Sequence, residues 1–267
     1  MKKIKTAAKT AKAIKTVYFL RQSFVFLLPF AMLFLTVAEL YVPLIPVACL
    51  SAAVVLGIFD IRLSLFMPVV NRLKIDERKV LLTFDDVPAA RTRHILAILE
   101  RENIRALFFA VGKDAAKHPD TVRTIAERGH ALGIHTQNHS LGFPFYGLSK
   151  AGKEIDDCRH VLETIAGRKI TLFRPPFGVT NPVIARLAAE RNLTTVGWTI
   201  RSLDTRIRNP KRLTARIVGR LSPGAVILLH DLPATSDALE NLIAEIRGRG
   251  YGFAEFREKT CNFVPHQ

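Results

Sequence analysis

Short apolar runs alternate with amphipathic stretches along the chain after residue 79. The apolar runs are rich in β-branched and aromatic residues and predict strands, whereas the stretches between them repeat apolar positions at helical spacing. Residues 92–102 and 236–247 are the clearest helical stretches. The predicted strands are residues 80–84, 106–111, 131–135, 170–174, 194–198, 225–230 and 251–254.

This alternation of strands and helices predicts an α/β fold with a parallel sheet. About seven strand-helix units suggest closure into a distorted (β/α)7-type barrel. We assign this domain to residues 71–267. In parallel barrels the active site lies at the carboxyl ends of the strands, so polar residues at those ends are the first candidates for function.

The chain before the barrel has a different pattern. Between residues 23 and 59 the only charged side chain is Glu39, and about 20 apolar residues are enough to cross a bilayer. Residues 24–38 and 40–59 are two candidate passes. A cleaved signal peptide fits poorly, because the apolar character continues where a polar sequence should follow. We therefore predict a helical membrane segment of one or two helices at residues 23–70.

Charge supports the same interpretation. The formal net charge is +16, and seven basic residues without an acidic partner form a tail at residues 1–22. A basic tail followed by an apolar stretch favours membrane lipids over nucleic acid as its partner. Arg62, Arg72 and Lys74 follow the apolar stretch. Because both flanks are basic, a hairpin with the barrel on the cytoplasmic side and a single pass with the barrel outside both stay open.

The cysteines give no functional signal. Cys49, Cys158 and Cys261 lack the paired spacing of a structural zinc site or a disulfide framework. Cys49 lies in the apolar stretch, where it is expected to act as a small apolar residue. Cys158 and Cys261 could pair only in an oxidising compartment.

Four predicted strands end on residues capable of chemistry. Asp85 and Asp86 follow the first strand, and His135, Arg174 and His230 stand at the ends of the third, fourth and sixth. Parallel strands place these ends at one face, so we expect a single cluster of carboxylates, an arginine and histidines.

Two histidines and one carboxylate suggest a metal site. A pair such as His135 and His139 is more often a solvated helix face, although a helical turn would point both rings at one place. With Asp86 the set leaves open coordination positions, as in catalytic divalent sites. Zinc is the first candidate, with cobalt or nickel as alternatives. Asp85 points away from its neighbour in an extended chain, so one carboxylate can bind metal while the other acts as a base. A solvated Asp-Asp turn is the other interpretation.

The polar motifs resemble those of the polysaccharide deacetylases of carbohydrate esterase family 4, which share the NodB homology domain. Residues 57–68 are similar to a membrane-anchored bacterial subset of that family. Five ordered motifs carry the resemblance: TFDDVP at residues 83–88, HTQNH at 135–139, RPPFG at 174–178, Trp198 with Asp204, and LLHD at 228–231.

The resemblance implies a role for each motif residue. Asp86, His135 and His139 would bind the metal, and Asp85 would take a proton from the attacking water. Arg174 would orient Asp85 through a charge-assisted hydrogen bond.

The remaining motif residues would act on the substrate. His230 would protonate the leaving amine, with Asp204 holding its imidazole charged. The backbone N–H of Phe177 would stabilise the oxyanion, and Trp198 and Leu228 would line a pocket for the acyl methyl. Core packing is the alternative for these two apolar residues.

Two positions depart from the family pattern. Val87 stands where the family usually has glycine, so we expect a reshaped turn. Thr205 follows Asp204 where the family usually has tryptophan, which affects the wall of the substrate cleft. Histidines without such context are expected at surface or capping positions: His94, His118, His130 and His160.

The expected activity is metal-dependent hydrolysis of N-acetyl groups on an amino-sugar polysaccharide, such as peptidoglycan, a chitin-like chain or an exopolysaccharide. One alternative is deacylation or deformylation of a lipid-linked amino sugar at the membrane. An alternative of another class is an inactive sugar-binding or scaffold protein. The resemblance and the apolar segment together predict the bacterial inner (cell) membrane as the location.

Overall fold

The computed structural model of the protein describes residues 44–256, together with positions 27, 28, 32, 36, 41 and 42. The chain divides into two units, the first ending at Val55 and the second beginning at Leu56. The sequence placed this boundary after residue 70. Residues 56–70 therefore belong with the barrel in the structure.

The helix that precedes the barrel is α1 (Leu44–Phe59), with 16 residues. It is apolar along its whole length, and only Gly57 is buried. In the part of the chain that the structure describes, no helix combines the length and apolar character needed to cross a bilayer. The basic tail and most of the predicted pass at residues 24–38 lie outside the described residues.

One parallel sheet forms the centre of the second unit. Its spatial order is β5-β4-β3-β2-β1-β7-β6, and β8 pairs with the beginning of β1. Each of the seven predicted strands overlaps an observed strand, whereas the two-residue β6 was not predicted. The strands are β1 (Lys79–Val87), β2 (Leu107–Ala110), β3 (Ala131–Ile134), β4 (Leu172–Phe173), β5 (Thr194–Thr195), β6 (Ile200–Arg201), β7 (Val226–His230) and β8 (Gly252–Phe253).

Helices connect the strands, as the alternating pattern predicts. The two clearest helical stretches of the sequence become α2 and α8. The helices are α2 (Thr92–Arg101), α3 (Gly112–Lys117), α4 (Pro119–Glu127), α5 (Leu148–Ala166), α6 (Pro182–Glu190), α7 (Pro210–Val218) and α8 (Pro233–Gly248).

The central strand β1 is buried on both faces, which explains its nearly continuous apolar sequence. Leu82 and Phe84 belong to the large cluster that includes residues of the helices. Leu81, on the opposite face, packs in a smaller cluster with Leu107 and Phe109. Full burial of such side chains contributes about 1.5–3 kcal/mol each, so this strand anchors the unit.

The curled sheet is bridged between its β5 and β7 sides by a segment that precedes β1. The N–H of Val70 donates to the Thr195 carbonyl at 2.9 Å, and the N–H of Gly197 donates back to the Val70 carbonyl at 3.0 Å. The N–H of Leu73 donates to the Gly224 carbonyl at 2.8 Å. A curled sheet of parallel strands fits the predicted (β/α) barrel, with an irregular segment completing the wall.

Candidate active site

The strand ends bring the polar motif residues together. In the parallel pairing of β1 with β7, Asp85 is the register partner of His230. His135 and Arg174 directly follow β3 and β4. The structure therefore places four of the predicted residues at the carboxyl edge of the same sheet.

Asp86, His135 and His139 form a group whose potential ligand atoms all lie within 4.8 Å of one another. Nε2 of His139 lies 3.4 Å from Oδ1 of Asp86, and Nε2 of His135 lies 3.6 Å from the same oxygen. That oxygen is buried without a hydrogen-bond partner. An orphaned carboxylate oxygen facing two imidazole nitrogens fits a divalent cation, which would satisfy all three groups.

The protonation states also suit metal binding. Burial, together with the neighbouring His135, lowers the pKa of His139 more than the carboxylates of Asp86 and Asp85 raise it. His139 is therefore neutral at pH 7, which is the form that binds metal. Nδ1 of His135 lies 2.7 Å from the Arg174 carbonyl oxygen, so it carries the proton and donates it. This bond leaves Nε2 as the lone-pair nitrogen facing Asp86.

The two histidines converge through a turn with left-handed residues instead of through a helical turn. Thr136 and His139 have left-handed backbone angles, with φ of 65° and 49°. Oγ1 of Thr136 accepts a hydrogen bond from the N–H of His139 at 3.2 Å. The N–H of Gly112 donates to the Thr136 carbonyl at 3.0 Å. Helix α3 thus fixes the turn by its first residue.

Glu154, which sequence reasoning did not select, holds the same turn from α5. Its carboxylate accepts from the backbone N–H of Asn138 at 2.8 Å and from the Asn138 side-chain amide at 2.7 Å. Glu154 is 8% exposed. A buried carboxylate on a helix, paired to the residue before a ligand, is a signal that only the three-dimensional contact reveals.

Asp85 is fixed by Arg174, as predicted. Nη1 of Arg174 donates to Oδ1 of Asp85 at 2.6 Å and to Oγ1 of Thr83 at 2.9 Å. The guanidinium also donates to the carbonyls of Val196 (2.9 Å) and Gly197 (2.6 Å). Arg174 is fully buried, and burial lowers its pKa while Asp85 opposes that effect. Arginine stays charged in such a setting, so Oδ1 of Asp85 is held by a fixed cation.

The Asp204 carboxylate forms hydrogen bonds with His230 at two points. Nδ1 of His230 lies 2.7 Å from Oδ1 of Asp204, and the N–H of His230 donates to Oδ2 at 2.7 Å. Oγ1 of Thr235 also donates to Oδ2 at 2.7 Å. Burial alone would lower the pKa of His230, but the hydrogen bond and charge of Asp204, with the charges of Asp85 and Asp86, raise it to about 9. His230 is therefore a charged proton donor at neutral pH.

The predicted substrate-contact residues lie around this edge. Phe177 is 40% exposed, and its ring centroid lies 4.8 Å from that of His139. Trp198 and Leu228 are buried in one hydrophobic cluster. Leu228 stands two residues before His230 on β7 and so faces the same side of the strand.

The two departures from the family pattern are accommodated differently. The left-handed backbone angle falls on Asp86 (φ 62°), while Val87 is fully buried and accepts the N–H of Val111 at 2.9 Å. Thr205 is exposed in the turn after Asp204. Asp86, His135 and His139 still come together in one group despite these departures.

Asp231 and His130 have roles that the sequence did not indicate. The Asp231 carboxylate accepts the N–H groups of Ala89 (3.3 Å) and Arg91 (2.8 Å) and also bonds Thr92. It thereby fixes the loop after β1.

The expected surface position is confirmed for His94, His118 and His160.

His130 is the exception among these histidines, because it is 1% exposed; it takes a capping position instead, where its N–H donates to the Ile125 carbonyl at 3.2 Å at the end of α4. Its Nδ1 accepts the N–H of Ala106 at 3.1 Å. Burial, with Arg105 and Arg128 nearby, lowers its pKa to about 4. Among the cysteines, Cys49 is exposed and Cys158 is buried. The thiol of Cys158 donates a hydrogen bond to the Ala110 carbonyl. Cys261 lies outside the described residues.

Residues 73–196 match the family model described as Polysaccharide deacetylase. A family 4 carbohydrate esterase from Streptomyces lividans, solved with acetate, is 31% identical, with a TM-score of 0.64 over 68% of this chain and 94% of that one. The chain belongs to the polysaccharide deacetylase family.

Two curated relatives carry names that specify their substrates. A peptidoglycan-N-acetylglucosamine deacetylase from Bacillus cereus is 31% identical over 189 residues, which cover 67% of this chain and 66% of the relative. The peptidoglycan-N-acetylmuramic acid deacetylase PdaC from Bacillus subtilis is 31% identical over 66% of this chain and 37% of its own length. The chain thus spans less than two thirds of the length of these curated relatives.

Proposed function

We propose that this polysaccharide deacetylase hydrolyses N-acetyl groups on an amino-sugar polysaccharide in a metal-dependent reaction. The observation that carries the proposal is the pairing of Asp85 with His230 as register partners beside the Asp86, His135 and His139 group. One side chain is a carboxylate held by Arg174, and the other is an imidazole held charged by Asp204. A base and an acid on either side of one electrophile are what amide hydrolysis requires.

Asp85 is the base of the proposed reaction. Its Oδ1 is committed to Arg174, while Oδ2 lies 3.8 Å from Nε2 of His135 and so faces the metal group. Oδ2 accepts the proton of the attacking water as the water oxygen bonds to the acetyl carbon. A divalent cation held by Asp86, His135 and His139 would polarise the carbonyl and lower the pKa of the water. Zinc is the proposed cation, with cobalt and nickel as alternatives.

His230 is the proposed acid. Its Nδ1 is committed to Asp204, so Nε2 carries the proton that can leave. This proton passes to the sugar nitrogen as the carbon–nitrogen bond breaks, because an unprotonated amine is a poor leaving group. The products are acetate and the free amino sugar. The N–H of Phe177 is the proposed donor to the carbonyl oxygen, since the Phe177 ring already packs on His139.

The choice of polymer rests on the relatives. The Bacillus cereus relative is named for peptidoglycan N-acetylglucosamine, and we propose the same class of substrate here. A lipid-linked amino sugar at the membrane is the second candidate. It is favoured by the exposed apolar side chains of α1, among them Leu50, Leu56 and Phe59. This surface, with the basic tail, also supports association with the bacterial cell membrane. Recovery of the full chain in the carbonate-washed membrane fraction would test that association.

The test of the function uses the full chain stripped of metal and then supplied with zinc, cobalt or nickel. Acetate release from N-acetylglucosamine oligomers and from peptidoglycan fragments is measured for the wild type and for Asp85→Asn. His160→Ala, at an exposed histidine, is the matched control. We expect metal-dependent release by the wild type and the control only. Release from a lipid-linked amino sugar but from neither polymer would favour the second candidate, and metal-independent release would contradict the proposal.

A further inference from the structure

Residues 57–71, here called the strap, comprise the end of α1 and the chain that follows it, and they fold back on themselves. A Cβ atom on Gly57 would lie 2.2 Å from Cδ2 of Leu65, so only glycine allows this close approach. The side-chain amide of Asn71 donates to the Arg62 carbonyl at 3.2 Å and to Oγ of Ser64 at 3.3 Å. Both ends of the strap therefore contact its middle, which makes it a compact loop.

The strap holds the loop that carries Phe177. The N–H of Thr180 donates to the Ile58 carbonyl at 2.9 Å, and its Oγ1 donates to the Gly57 carbonyl at 3.2 Å. Thr180 is 1% exposed, so these bonds are shielded from water. Phe177 and Gly178 have φ values of 61° and 68°, an arrangement that needs support from its surroundings.

Gly178 of the same loop lies close to the ring of Trp198. A Cβ atom on Gly178 would lie 2.2 Å from the Trp198 ring, so the indole is covered on this side by backbone. Ile61 of the strap, which is fully buried, packs with Trp198 and Leu228 in one hydrophobic cluster. The two neighbours of Ile61, Asp60 and Arg62, line a cavity of about 350 Å³. Trp198 lines the same cavity, so Ile61 packs against the Trp198–Leu228 pair beside open space.

We propose that Ile61 sets the depth of the acyl pocket, as a specificity-determining residue that positions Trp198. This inference rests on the proposed deacetylation and on the expectation that Trp198 and Leu228 line the pocket for the acyl methyl. With Ile61 packed against the Trp198–Leu228 pair, the indole stays in position and an acetyl group fits. Removing its branched side chain lets Trp198 move toward the cavity beside Asp60, which admits a longer acyl chain. The catalytic groups Asp85 and His230 are left unchanged.

The experiment compares full-length Ile61→Ala and the milder Ile61→Val with Ile45→Ala, whose side chain is 59% exposed on α1. Hydrolysis of N-propionyl and N-acetyl glucosamine oligomers gives a ratio of kcat/KM values. One methylene in an apolar pocket changes such a ratio by about tenfold or more. We expect Ile61→Ala to raise the propionyl-to-acetyl ratio by about tenfold. Ile61→Val should move it in the same direction, and Ile45→Ala should leave it unchanged.

A second readout does not depend on turnover. The chain contains one tryptophan, so intrinsic tryptophan fluorescence reports on Trp198 alone. Quenching by acrylamide should increase in Ile61→Ala, less in Ile61→Val, and not in Ile45→Ala. Titration with acetate and propionate, followed by the same fluorescence, measures the size preference of the pocket without catalysis.

The outcomes separate this inference from the proposed function. A wild type that releases no acyl group overturns the deacetylation, while the acetate and propionate titrations still decide the role of Ile61. Equal loss of both activities in Ile61→Ala, with an unchanged ratio, would reduce Ile61 to a structural residue and overturn the inference. Unchanged quenching of Trp198 would overturn it as well.

Discussion

Asp204 contacts His230 through both carboxylate oxygens, one at 2.7 Å from the imidazole Nδ1 and the other at 2.7 Å from the backbone N–H. The same carboxylate therefore fixes the position of the ring and its charge. Thr235 completes the arrangement from the first turn of α8. Since the imidazole is mostly buried, its charged form depends on this partner.

Asp204→Asn should lower the pKa of His230 from about 9 to or below its ordinary value near 6.5. The amide carries no charge, whereas the burial that lowers the pKa remains. An NMR titration of the imidazole in the metal-free chain measures the change. Asp237→Asn, at an exposed position on α8, is the matched control. A pKa that stays near 9 in Asp204→Asn would show that other charges hold the proton.

The same pair should make stability depend on pH. The pKa of His230 is raised in the folded state, so the stabilisation is complete below about pH 6.5 and is lost as the pH rises through about 9. The pKa of Asp204 is lowered, so this carboxylate stays charged over the whole range. The difference in unfolding free energy between the wild type and Asp204→Asn should therefore shrink over this interval. Urea denaturation at several pH values measures it, and a constant difference would contradict the linkage.

Arg174→Met should strongly destabilise the fold. The fully buried guanidinium bonds Asp85, Thr83 and two backbone carbonyls, and removing one partner of a buried ion pair costs about 3–5 kcal/mol. Arg186→Met is the control, because Arg186 pairs with Glu190 on the surface, where such pairs contribute about 0–1 kcal/mol. Chemical denaturation compares them. Similar small losses in both variants would mean that the buried pair is dispensable.

His139→Ala should abolish stoichiometric binding of zinc to the purified chain. It removes one of three ligand atoms that lie within 4.8 Å of one another, and two ligands hold a divalent cation poorly. His94→Ala, at an exposed position, should bind as the wild type does. Elemental analysis after dialysis gives the stoichiometry. Full zinc content in His139→Ala would place the metal elsewhere.

Glu154→Gln should weaken zinc affinity while leaving all three ligands in place. The substitution removes the charge that holds Asn138, the residue before His139, and loss of such outer contacts costs about 10–100-fold in metal affinity. Glu245→Gln, at an exposed position, is the matched control. Competition with a zinc chelator measures the affinities. Equal affinity in both variants would show that the turn holds its shape without Glu154.

Local pattern was enough to predict the strands and the motif residues at their ends. β1 is a long apolar run with Asp85 and Asp86 at its end, and both its burial and its position follow from that run. The two-residue β6 was missed, because a run as short as Ile200–Arg201 has no measurable periodicity.

Distant contacts that no motif indicates could not be predicted. Glu154 on α5 looks like any helical glutamate until the turn at Asn138 is brought to it. Ile61 lies in a segment assigned to the membrane, and only the fold reveals its contact with Trp198. The spacing of His135 and His139 did not decide between a helical turn and the observed turn, because spacing alone does not distinguish a helix from a turn with left-handed residues.

Metal content and acetate release, measured on the same preparations, test the central claim most directly. Asp85→Asn and His230→Ala leave Asp86, His135 and His139 unchanged. The account predicts that both variants bind one zinc per chain and release no measurable acetate from N-acetylglucosamine oligomers, while the wild type does both. Acetate release at the wild-type rate by either zinc-loaded variant would contradict the assignment of base and acid.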